Sequence, residues 1–186
     1  MRGRQKRAIL QVLHHPMTGK QVCLEARRID PHILLQDVWY VMHQFQNRGL
    51  CTCLTPGQVT GKLYCLTELG RKVVAHAFKL KIPAPPDNVP WKKYSLVVRA
   101  KTRRVLVLEL GKFPNPDEAT ATRIRKRLAQ NYPIGLNPVM RSLKELTKMG
   151  VVECTGVTKK QQRRIYKLTR DGERIREQLM AQSFAN

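Results

Sequence analysis

The sequence predicts an α+β fold, mainly helical, built from two similar units in tandem. Three observations carry that expectation. The motif Tyr-x-Leu-Thr-x-x-Gly occurs at residues 64–70 as YCLTELG and again at 166–172 as YKLTRDG, 102 positions apart. Ahead of each copy an apolar stripe with helical spacing runs up to a glycine, Gly49 in one case and Gly150 in the other. Between the copies lies IPAPPDNVP, Ile82 to Pro90, with four prolines in nine residues. Such proline density stops helices and favours an extended connector. The expected organisation is therefore a first domain over 1–81, a linker over 82–90 and a second domain over 91–186.

Each element follows from local chemistry. KRAILQVL (Lys6 to Leu13) and RRVLVLEL (Arg103 to Leu110) are expected as short first helices. The second is rich enough in β-branched residues to be a strand on propensity alone, and helix is preferred because its counterpart in the repeat is one. Second helices follow over Gly19 to Arg28 and Glu118 to Ala129, with Asp117 as the N-cap of the latter after Pro116. Turns over 29–33 and 131–136 lead into the striped third helices. There Val38, Trp39, Met42 and Phe45 repeat the spacing of Val139, Met140, Leu143 and Leu146, and each glycine sits where a left-handed cap is wanted.

Two β-prone runs then flank a polar stretch in each unit. They are 50–54 and 62–66 around TPGQVTGK, and 151–154 and 163–168 around TGVTKKQQ, so each pair is expected to form a hairpin. Thr67 and Thr169 stand at the N-cap of closing helices over 71–80 and 173–180, with Glu68, Asp171 and Glu173 in the first turns. The repeated Tyr and Leu are expected to face the core from the second strand, while Thr ends the strand and starts the helix.

The chain holds 35 Lys and Arg against 13 Asp and Glu, a formal charge of +22 and a pI near 10.5. Residues 1–81 hold 13 basic and 4 acidic groups, and residues 82–186 hold 22 and 9. Both halves are cationic, so the charge is no tail on a neutral body. Self-repulsion of this size is offset most readily by a polyanion, and nucleic acid is the commonest one in a cell. No apolar run approaches a membrane span, and the basic N-terminus lacks the apolar core of a signal peptide. Five cysteines, Cys23, Cys51, Cys53, Cys65 and Cys154, lack the density of a disulfide framework, which fits reduced thiols in the cytoplasm.

The order helix, helix, turn, helix, strand, wing, strand, helix is that of the winged helix-turn-helix. GLCTCLTPGQVTGKLYCLTELGRKVV resembles the hairpin and closing helix of winged-helix transcription regulators of the kind common in archaea. The second half, from YSLVVRAKTRRVLVLEL through VMRSLKELTKMGVVEC to YKLTRDGERI, resembles a complete regulator of that sort. The resemblance implies two tandem winged helix-turn-helix domains, each of three helices, a β-hairpin wing and a closing helix. It further implies that the third helix enters the major groove of double-stranded DNA while the wing meets the backbone.

On that basis the second domain's exposed third-helix face is expected to hold Asn137, Arg141, Ser142, Lys144, Glu145 and Lys148. Arg141 can pair with guanine and Asn137 with adenine, and Lys144 and Lys148 suit phosphates. The wing, KKQQRR, brings Lys159, Lys160, Arg163 and Arg164. The first domain departs from this pattern. Its third helix has no cation before Arg48 and carries Asp37 where the second domain has Pro138. Tyr40, His43, Gln44 and Asn47 can read bases there or face a protein or a second subunit, with Arg4, Arg7 and Lys62 as its remaining candidate DNA contacts.

Metal binding has little support, because strand alternation places Cys51 and Cys53 on one face of the hairpin and Cys65 on the other. His14 and His15 are expected to serve the first helix as C-terminal dipole partners. No catalytic motif is present, so no enzyme activity, metal or cofactor is expected. The sequence thus favours a nucleoid-associated DNA-binding regulator. The alternative is an assembly subunit of a transcription, replication or chromosome-organising complex that uses tandem winged helices to bind protein.

Overall fold

The computed structural model describes residues 3–158 and 163–183. The chain divides into two compact units, Met1–Asp87 and Asn88–Asn186, and the division falls inside the proline-rich segment. Each unit combines helices with a small antiparallel sheet, so the fold is α+β and mainly helical.

The first unit runs α1 (Gly3–Val12), β1 (Met17–Thr18), α2 (Gly19–Ile29), α3 (Leu35–Asn47), β2 (Cys51–Cys53), β3 (Leu63–Leu66) and α4 (Glu68–Phe78). Thr18 and Gln21 start α2 with a reciprocal pair of side-chain-to-backbone bonds. The core gathers Ile9, Leu13, Val22, Ile33, Val38 and Met42, all fully buried. Three strands form one sheet in the order β1-β3-β2, with Met17 opposite Tyr64 and Cys51 opposite Leu66. Strand β1 is only two residues long, and no local pattern announces it.

The second unit runs α5 (Trp91–Val98), α6 (Lys101–Leu110), a 3-10 turn at Pro116–Glu118, α7 (Ala121–Leu128), α8 (Leu136–Lys148), β4 (Val152–Val157), β5 (Arg164–Leu168) and α9 (Arg170–Ser183). RRVLVLEL is helical, as its place in the repeat requires, with Leu106, Val107 and Leu110 buried. Two expectations need correction. Helix α5 precedes the first expected helix and has no counterpart in the other unit. The N-cap of α7 is Thr120, whose hydroxyl accepts from the Arg123 N–H at 3.4 Å; Asp117 lies upstream in the 3-10 turn.

The repeated motif has a common geometry. Gly49 and Gly150 adopt φ of +66° and +65°, the left-handed conformation that ends α3 and α8. The next carbonyl, of Leu50 or Val151, accepts the N–H of Thr67 or Thr169, both at 3.1 Å. Each threonine hydroxyl donates to the preceding glycine carbonyl, at 2.5 Å to Gly49 and 2.9 Å to Gly150. Each hydroxyl also accepts the N–H of the motif glycine, Gly70 at 3.1 Å or Gly172 at 3.2 Å. One side chain therefore joins three segments: a helix end, a strand end and a helix start. Leu66 and Leu168 are buried as expected, whereas Tyr64 is buried and Tyr166 only half-buried.

The likeness reaches the edge of the sheet. Thr18 faces Leu63 on β3, and Thr120 faces Ile165 on β5 at the same 102-residue offset. Between these points the second hairpin gains one residue. Cys154 pairs with Tyr166 and Gly156 with Ile165, leaving Thr155 as the extra member of a bulge.

Candidate nucleic-acid interface

Helix α8 separates its two faces sharply. Val139, Ser142, Leu143 and Leu146 are buried at i, i+3, i+4 and i+7, while Asn137, Arg141, Lys144 and Lys148 are exposed. Ser142, expected on the reading face, is only 8% exposed and lies outside the interface because it falls on the core stripe. Met140 is corrected in the opposite sense. It is 51% exposed, since the position next to Val139 turns toward solvent.

The one acid of α8, Glu145, lies 3.9 Å from Arg103 of α6, and it makes no ion pair with the cations of its own helix. Other acids of this unit are engaged elsewhere: Glu109 with Arg127 and Lys112, Glu118 with Arg123, Asp171 with Lys93, and Glu173 with Arg176. Arg141, Lys144 and Lys148 face no carboxylate among the described residues. A row of unpaired cations along one helix face creates a local positive potential that an anion relieves.

The hairpin continues this row. Arg163 and Arg164 are exposed at the start of β5, where the Arg163 N–H donates to the Thr158 hydroxyl at 3.1 Å. Lys159 and Lys160 lie outside the described residues. Helix, hairpin and the start of α7 enclose a groove of about 910 Å³. Its lining combines a cationic set, Arg141, Lys144, Lys148, Arg163 and Arg164, with a mainly apolar one, Leu136, Met140, Ala121 and Tyr166; by chemistry the first is its rim and the second its floor. The sequence conceals the floor because spacing alone assigns Met140 and Tyr166 to the core.

The first unit presents different chemistry at the same places. Tyr40, His43 and Asn47 are exposed on α3, whereas Gln44 is half-buried. Asp37 accepts the Leu34 N–H at 2.9 Å and so belongs to the start of its own helix. Arg4 lies 3.9 Å from Asp30, Arg7 covers the Phe78 ring at 5.2 Å, and Lys62 is half-buried. Two of the three cations expected to reach DNA therefore hold partners within the unit. Trp39, expected in the core stripe, is 40% exposed; its indole lies on Gly19 and edge-on to Tyr64, with centroids 6.1 Å apart.

The cysteines follow strand register. Cys65 pairs with Thr52, on the face opposite Cys51 and Cys53. Burial pushes the Cys51 thiol up to about 12 and that of Cys65 up to about 11, which opposes the thiolate a metal would need. Among the described residues, no group of three or more His, Cys, Asp or Glu side chains is placed to hold a metal ion. His15 is held down to about 4 by burial and then by His14, so it is neutral near pH 7 and cannot complement a helix dipole as a cation. No helix among the described residues is long and apolar enough to cross a membrane.

No family model matches the chain, and no curated protein matches it.

Proposed function

We propose that the two units are tandem winged helices and that the second binds double-stranded DNA, making the chain a transcriptional regulator associated with the nucleoid. In this reading α8 enters the major groove and the β4–β5 hairpin lies along the backbone. Arg141 donates a bidentate pair to guanine and Asn137 pairs with adenine, while Lys144, Lys148, Arg163 and Arg164 neutralise phosphates. The observation that carries the reading is the exposed row Arg141, Lys144 and Lys148, with Glu145 3.9 Å from Arg103. No cofactor or catalytic step enters this account.

The test is duplex affinity as a function of salt. Each neutralised phosphate contributes about 0.9 to the slope of log affinity against log salt. A steep slope that flattens when Arg141, Lys144 and Lys148 are changed to Ala supports the reading. A duplex affinity indifferent to that triple change sinks it.

A second reading is favoured for the first unit. Its α3 face offers Trp39, Tyr40, His43 and Asn47 without an exposed cation before Arg48, and its Arg4 and Arg7 are engaged internally. That face suits contact with a protein, either a second copy of the chain or another subunit of an assembly.

A further inference from the structure

The two units treat one location in opposite ways. In the first, Trp39 covers Gly19 so closely that a Cβ on the glycine would stand 2.7 Å from the indole. Tyr64 lies edge-on to the same ring, with centroids 6.1 Å apart. In the second unit the matching places hold Met140, Ala121 and Tyr166, and the groove of about 910 Å³ stays unfilled. Its volume falls in the range of sites that take small organic molecules.

The lining narrows the chemistry. Leu136, Met140, Ala121 and Tyr166 give an apolar floor, while Arg141 and Lys144 stand on the rim without a carboxylate partner among the described residues. A duplex can satisfy the rim, but its phosphates gain nothing from the floor. A molecule with an apolar body and an anionic head satisfies both.

We infer that this groove binds an organic anion with an aromatic or aliphatic body, and that such a ligand and a duplex exclude one another. Occupancy follows from the groove itself. The exclusion rests on the DNA reading, because the same Arg141 and Lys144 serve both partners.

The test uses the full-length chain and 1-anilinonaphthalene-8-sulfonate, whose fluorescence rises in an apolar site. Saturable binding is expected, with the dye displaced by 2-naphthoate but not by sulfate at equal concentration. The double variant Ala121→Gly with Met140→Trp copies the first unit's filled arrangement without altering charge. It should bind roughly tenfold more weakly or worse, the scale on which a pocket rejects a misfitting group. Met140→Glu, at an exposed position, is the second variant and should weaken binding similarly by placing a negative charge on the floor. Displacement by sulfate, or unchanged affinity in Met140→Glu, overturns the site.

Saturating 2-naphthoate should then release a labelled duplex. Retention of the duplex with the groove occupied overturns the exclusion. A chain that binds no duplex at all removes the DNA reading and the exclusion together, and the dye titration still decides the site.

Discussion

Gly70 holds its Cα against the carbonyl oxygen of Leu50, so that any Cβ there would overlap an oxygen already receiving the Thr67 N–H. Gly172 stands in the same relation to Val151. Neither glycine has a positive φ, so the requirement is space and not backbone conformation. Gly70→Ala and Gly172→Ala should each destabilise by about 1–3 kcal/mol, as overpacking does. Gly57→Ala, at a position with nothing within 4 Å, should be near neutral. Urea unfolding followed by circular dichroism separates the cases.

Thr169 offers a companion test. Replacing it with Val removes a hydroxyl that bonds both the Gly150 carbonyl and the Gly172 N–H. The expected loss is about 0.5–2 kcal/mol, the range for a helix N-cap, with Ser recovering most of it. Equal losses for Val and Ser would remove the hydroxyl from the account.

For nucleic acid, Arg141→Ala should cost about 1–3 kcal/mol on a preferred duplex and relax the choice of base. Lys148→Ala should weaken all duplexes alike and lower the salt slope by about one. Lys159 and Lys160 changed together to Ala should likewise act without regard to sequence. Arg4→Ala should change little, since Arg4 sits beside Asp30. Fluorescence anisotropy on matched and scrambled duplexes reads all four, and an Arg141 variant indistinguishable from the parent on both would end its assigned role.

His15 gives a pH signature. Its folded value of about 4 lies below the ordinary 6.5, so between those values the unfolded chain binds more protons than the folded one. This contribution to stability is therefore fully present above pH 6.5 and is lost as pH falls toward 4. Ring-proton NMR of His15 should show its titration near 4, and a midpoint close to 6.5 would contradict the burial ascribed to it.

The thiols should differ in reactivity. Cys154 is exposed, whereas Cys23, Cys51 and Cys65 are buried, the latter two with raised values of about 12 and 11. A chromogenic disulfide reagent at pH 8 should modify Cys154 rapidly, and Cys51 and Cys65 only on unfolding. Mass spectrometry of the labelled peptides assigns each site.

The sequence revealed most of what is local. Helical spacing located α3 and α8, glycine placed their ends, and Thr67 and Thr169 marked the starts of α4 and α9. Features set by distant partners were hidden. Strand β1 exists because Met17 and Thr18 meet Tyr64 and Leu63, a pairing that two residues cannot announce. Helix α5 carries Trp91, Tyr94 and Val97 at helical intervals, but the internal repeat does not reveal it because the first unit has no counterpart. Trp39 and Met140 share the edge of an apolar stripe, where spacing alone does not decide between core and solvent. Ser142 fails for the converse reason, as a small polar residue admitted to the core face.

The threonine clasp also ties the base of each hairpin to the helices before and after it. TPGQVTGK and TGVTKKQQ match in length but differ in charge, one cation against two, and the strands on either side of each are tied at their base by the same clasp. A change of charge between the strands leaves that clasp's own bonds in place, so each unit can carry a hairpin of different electrostatic character on the same threonine anchor.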